Sequence, residues 1–128
     1  MLVLRTLLFL LFQTITVVPY GLCCLAIAPM PVHVRYRFTI GWPKMVIWAA
    51  RTICGIRWRV EGWEHLPDGP AVLLSKHQST WETFFYVSCM PRDLCFVFKR
   101  ELLFIPFFGW GIGLMKMIHI DRKRGRDA

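Results

Sequence analysis

From Thr6 to Val34 the chain carries no formally charged side chain. A bilayer-spanning helix needs about 20 mostly apolar residues, so residues 1–34 have the length for a membrane anchor. Arg5 is the one charged side chain ahead of the run. Arg35, Arg37, Lys44, Arg51, Arg57 and Arg59 follow it before the first acid, Glu61. Positive residues tend to stay on the cytoplasmic side of a membrane, which puts the rest of the chain there. Pro19-Tyr20-Gly21 interrupts the run, so a kinked span and a shallow re-entrant hairpin both fit. Ala26-Ile27-Ala28 also resembles a signal-peptide cleavage site. Against cleavage stand the length of the apolar run, Pro29 just past the site, and a second membrane-seeking segment.

That segment falls within residues 35–56. From Gly41 to Ile56, the residues Trp42, Met45, Val46, Trp48, Ala49 and Ile53 recur at roughly helical spacing, with Lys44 and Arg51 among them. The pattern predicts an amphipathic helix at a lipid interface; a helix packed on a neighbouring domain would read the same way. Gly55 is its expected stop. From residue 57 onward the texture changes. Ile56, Trp58, Val60 and Trp63 alternate with charged residues as in a half-buried strand. Leu66-Pro67-Asp68-Gly69-Pro70 has turn chemistry. Ala71 to Ser75 reads as a continuously buried strand, Thr80 to Val87 as a short helix and Leu94 to Phe98 as another strand. Arg100 to Phe104 reads as one helical turn before Pro106, and Met115 to Ile120 as a further strand. Strands alternating with short helices predict an α/β domain over residues 57–128.

Composition narrows the partners. The 128 residues are 55% hydrophobic, and 16 Lys and Arg against 8 Asp and Glu give a net charge of +8. The first figure favours membrane lipid as a partner and the second favours anionic ligands. Nucleic acid is not expected, because the aromatic residues sit in apolar runs rather than among the basic ones. Cys23, Cys24, Cys54, Cys89 and Cys95 have neither CxxC nor zinc-ligand spacing, so no metal is expected and reduced, packed thiols are. Cys23 or Cys24 could carry an acyl chain, but lipid-facing or packing cysteines explain them as well. Gly109, Gly111 and Gly113 lack the Walker pattern of a phosphate loop.

The candidate chemistry is at Ser75-Lys76-His77-Gln78-Ser79-Thr80-Trp81-Glu82. A histidine can take a proton from a hydroxyl at neutral pH, and a carboxylate on its far nitrogen would fix the tautomer. On one continuous helix, His77 and Glu82 would point about 140° apart. They can meet if His77 lies in the loop and Glu82 on the first helical turn. Ser79-Thr80-Trp81-Glu82 matches a capping box with Ser79 as N-cap, which fits that layout. It also offers a purely structural role for Glu82, with His77 an ordinary loop histidine.

His77 to Glu82 resembles the first signature of the glycerolipid acyltransferases, a histidine followed after four residues by an aspartate. Phe98-Lys99-Arg100-Glu101-Leu102, Ile105-Pro106-Phe107-Phe108-Gly109-Trp110 and His119-Ile120-Asp121-Arg122 look like the second block of the 1-acylglycerol-3-phosphate acyltransferases. The resemblance covers Ala71 to Arg122. It implies a partial glycerolipid-acyltransferase α/β domain behind a membrane helix or hairpin. It also implies acyl transfer from acyl-CoA or acyl-carrier protein to lysophosphatidic acid, with no cofactor, on the cytoplasmic face of a bacterial inner membrane. His77 would be the general base and Glu82 would orient it, with Gln78, Ser79, Thr80 and Trp81 completing the motif. Lys99 and Arg122 would bind the acceptor's phosphate, although both could equally be a solvated basic edge.

Two departures stand out. The acid is Glu82 where the family usually has aspartate. The family's third block, Glu-Gly-Thr-Arg, and its fourth are absent, so a truncated domain with little activity by itself is expected. The rival expectation is a non-catalytic membrane protein that binds anionic lipid or a partner through its basic face.

Overall fold

The computed structural model describes residues 1–121. The apolar N-terminal run is one uninterrupted helix, α1 (Leu2–Ala26), with Pro19 inside it. Of the two readings open at Pro19-Tyr20-Gly21, the continuous helix fits a span with Pro19 inside it and not a hairpin turning there. A short helix, α2 (Val32–Thr39), leads into α3 (Gly41–Cys54), which ends at Gly55 with φ 72°, the left-handed conformation that glycine adopts at least cost.

Helix α3 returns antiparallel along α1. Near one end the Trp42 indole N–H donates to Thr16 Oγ1 at 3.0 Å and the Tyr20 hydroxyl donates to the Phe38 carbonyl. At the other end Cys54 Sγ lies 3.9 Å from the Arg5 carbonyl oxygen. The spacing that predicted an amphipathic helix is realised as packing. Trp42, Val46, Ile47, Ala49 and Ala50 are buried, while Trp48 stays 61% exposed. This face of α3 is therefore set against protein, which composition had left open against lipid.

Helix α4 (Thr80–Cys89) completes the main core. Its Phe84 and Phe85 pack with Trp42, Val46 and Ile47, and Phe9, Val17 and Trp58 close around them. A second cluster joins Tyr36 and Ile40 of the α2–α3 region to Val87 and Met115. Each cluster contains residues from before and after residue 56. The N-terminal helices and the 57–121 segment are thus held together by shared apolar burial.

Strands β1 (Val97–Lys99) and β2 (Ile118–Ile120) pair in parallel, with Phe98 opposite His119. Between them run a 3-10 segment, Arg100–Phe104, and helix α5 (Phe108–Leu114). Two glycines permit the close approaches in this region. A Cβ on Gly21 of α1 would lie 2.7 Å from Phe107 Cα, and one on Gly109 would lie 2.6 Å from the Leu103 carbonyl carbon. Gly109→Ala should therefore lower stability by about 1–3 kcal/mol, the usual cost of overpacking. Thermal unfolding in detergent would show it as a lower midpoint, and an unchanged midpoint would count against this packing.

The α/β expectation is met only in part: the described chain is mostly helical with a two-stranded sheet. The strands expected at 56–63 and at Ala71–Ser75 are absent. Trp63–His65 is a 3-10 turn, and Val72 and Leu74 are 87% and 92% exposed. A strand must pair its backbone N–H and C=O groups with a neighbour, and no described residue pairs with this segment. The strands expected at 94–98 and 115–120 shorten to the three positions that do pair.

Candidate active site

The 71–79 segment runs exposed from the 66–70 turn to the start of α4 and is fastened at both ends. At its base the Arg92 guanidinium donates to the carbonyls of Pro67 and Gly69, at 2.5 and 2.8 Å. At its far end lies the candidate pair. His77 Nδ1 stands 3.2 Å from Glu82 Oε2, and the same oxygen accepts the backbone N–H groups of Gln78 and Ser79 at 2.8 and 2.9 Å. The expected arrangement forms, with His77 in the loop and Glu82 on the first turn of α4. Glu82 therefore fills both roles that the sequence had set against each other. It satisfies amide groups at a helix start, and it holds an imidazole.

The electrostatics follow from the donors. The Ser79 and Gln78 amides, with a smaller contribution from His77, hold the Glu82 carboxyl below its ordinary value of 4.5. Since the folded form is the more acidic one, this ionised cap adds stability above pH about 4.5. That stability is lost as pH falls through the depressed value. The Gln78 and Ser79 amide proton resonances should accordingly titrate together, with a midpoint below 4.5. A midpoint at or above 4.5 would contradict the bonding seen here.

A carboxylate can only accept hydrogen bonds, so contact with Glu82 calls for the proton on Nδ1 and leaves the Nε2 lone pair free. The His77 side chain is 67% exposed and that of Glu82 23% exposed, so Nε2 is open to an incoming hydroxyl. The start of α4 is steadied by aromatic contacts that the motif does not reveal. Trp81 stacks on Phe85 at 4.8 Å between centroids, and Trp58 meets both rings edge-on. The Trp81 indole N–H is buried without an acceptor among the described residues. Trp58 came to notice only as one member of an alternating run. Its partner lies 23 positions away, and no local pattern encodes that contact.

Among the described residues, no hydrogen bond or ion pair joins Lys99 to His77 or Glu82. Lys99 is exposed at the end of β1, opposite Ile120. Beside it Arg100 Nη1 lies 3.5 Å from Asp121 Oδ2. Arg122 lies outside the described residues. Two clefts, of about 390 and 480 Å3, open near α2 and the end of α4, and neither is lined by His77 or Glu82.

The comparisons with known proteins converge. The family model described as Acyltransferase matches residues 57–128. A Pseudomonas aeruginosa protein named 1-acyl-sn-glycerol-3-phosphate acyltransferase is 47% identical over 126 residues, covering 97% of this chain and 49% of the relative. The mouse 1-acyl-sn-glycerol-3-phosphate acyltransferase alpha is 35% identical over 86 residues, covering 66% of this chain and 30% of the relative. A yeast protein named 1-acyl-sn-glycerol-3-phosphate acyltransferase is 28% identical over 78 residues, covering 61% of this chain and 26% of the relative. The chain thus spans half or less of the length of each of these relatives. No solved structure matches it.

Proposed function

The chain belongs to the acyltransferase family, and from that premise we propose that it acylates the free hydroxyl of 1-acylglycerol 3-phosphate to give phosphatidic acid for phospholipid synthesis. The acyl donor is a thioester, acyl-CoA or acyl-carrier protein. The observation that carries this reading is the His77–Glu82 contact at the head of α4, anchored by two backbone amides.

His77 Nε2 takes the hydroxyl proton as that oxygen attacks the thioester carbonyl. The negative charge of Glu82 favours the imidazolium that forms and keeps the ring aimed. Collapse of the tetrahedral intermediate breaks the C–S bond, and the departing sulfur takes the proton back from His77. Lys99 is proposed to attract the acceptor's phosphate as a point charge, and Arg122 to grip it in a bidentate manner.

Helix α1 is proposed as the membrane contact. It is long and apolar enough to cross a bilayer, and Leu4, Leu7, Leu8, Leu11, Ile15 and Leu22 on it are exposed. The return of α3 bears on its orientation. Arg5 and Arg57 fall near one end of α1, and Arg35, Arg37 and Lys44 near the other. Cations at both ends suit a helix lying in the headgroup region of the cytoplasmic leaflet better than one crossing it.

The test is direct. Washed membranes carrying the protein are supplied with lysophosphatidic acid and labelled acyl-CoA or acyl-carrier protein, and labelled phosphatidic acid is measured. Product above that of membranes lacking the protein is expected with at least one donor. No product with either, in a protein that still binds membranes, would favour the lipid-binding rival.

A further inference from the structure

At the end of α4 opposite Glu82 there is a second polar cleft, of about 390 Å3. It is lined by Arg37 of α2, Lys44 of α3 and Arg92, which follows α4, so three cations from separate parts of the chain converge on it. Asp93 is the one acid in its lining. Neither Arg37 nor Lys44 forms an ion pair with any described residue. Arg92 spends N–H groups on the Pro67 and Gly69 carbonyls, and a guanidinium has five, so others remain. Tyr36 is 5% exposed, and its oxygen accepts the Leu94 N–H at 2.7 Å. Its own O–H therefore remains available as a donor, and Tyr36 lines both this cleft and the neighbouring one. Like charges brought together around a space with a spare neutral donor oppose folding unless an anion joins them.

We propose that this cleft is a second anion site, separate from the catalytic pair, that takes the phosphate of an anionic phospholipid. Arg37 and Lys44 supply the charge, Tyr36 a hydrogen bond, and Arg92 links the site to the base of the segment carrying His77. The phosphate chemistry follows from the lining itself. The choice of a lipid as its source rests on the membrane reading above. One turn beyond Lys44 the same outer face of α3 presents the 61% exposed Trp48, a pairing of aromatic and cation suited to the headgroup level.

The experiment uses the chain in neutral detergent micelles, with short-chain phosphatidic acid and inorganic phosphate as separate probes. Binding is read from the NMR resonances of Tyr36 and Val87, away from His77. Saturable shifts with phosphatidic acid are expected. The Arg37→Gln, Lys44→Gln double variant should weaken binding at least about tenfold, because two charged contacts are lost. An Arg5→Gln, Arg57→Gln variant with the same change in net charge should weaken it about twofold or less, as a screened distant effect. Equal helicity by circular dichroism establishes that both variants fold. Equal weakening in both variants, or no saturable shift, overturns the site. Equal affinity for inorganic phosphate keeps the anion site but overturns the lipid assignment. No turnover is measured, so this result stands or falls independently of the acyl-transfer assay.

Discussion

His77→Ala is expected to lower acyl transfer by about 10²–10⁴-fold, the usual contribution of a positioned general base, while the protein stays on the membrane. The two outcomes separate because the groups responsible are distinct. The His77 side chain is 67% exposed, and its contact is with Glu82 rather than the core. Removing it leaves the Glu82 bonds to the Gln78 and Ser79 amides in place. The apolar faces of α1 and the α1–α3 packing lie elsewhere. Phosphatidic acid formation and sedimentation with membranes, measured on the same preparation, check both halves. Undiminished transfer by a membrane-bound His77→Ala protein would remove His77 from the mechanism. Loss of both together would point instead to a folding role.

Glu82→Gln should come close to the same loss in kcat, with KM for lysophosphatidic acid nearly unchanged. The amide is similar in size and can still accept a backbone N–H, so the start of α4 is largely kept. It carries no charge to favour an imidazolium, and its NH2 group can face Nδ1 and draw out the wrong tautomer. Glu82→Asp is the informative companion. It restores the charge and the residue type usual in the family, at the cost of one methylene of reach. Activity within about tenfold of the parent is expected, since retaining the charge keeps the larger part of a charge-assisted bond. If Gln and Asp lowered kcat equally, the charge would not matter and Glu82 would be a helix cap alone.

The site was more legible in the sequence than the fold. Ser79 and Glu82 are three positions apart and His77 two positions before Ser79. Capping chemistry acts over that range, so their meeting could be derived from spacing. The helix stop at Gly55 was readable for the same reason. Ala71-Val72-Leu73-Leu74 misled, because apolarity states that a segment suits burial and does not state what will cover it. The Lys99 and Arg122 assignments came through resemblance alone. The described structure sets Lys99 at the end of β1, with no hydrogen bond or ion pair to His77.

By itself the sequence determined what depends on neighbours along the chain. It defined a long apolar first run, an amphipathic second segment, a capped helix start with a histidine beside it, and an excess of positive charge. Tertiary structure alone decided what depends on distant partners. The antiparallel return of α3 brings Cys54 and Gly55 beside Arg5 and turns an apparent lipid-facing surface into core. Trp58 reaches Trp81, Arg92 fastens the segment that leads to His77, and Arg37, Lys44 and Arg92 surround one cleft. Hydrogen bonds at a helix cap close over a few residues and leave a local imprint. Burial and charge convergence are set by how helices cross, and the same amphipathic pattern is compatible with several crossings.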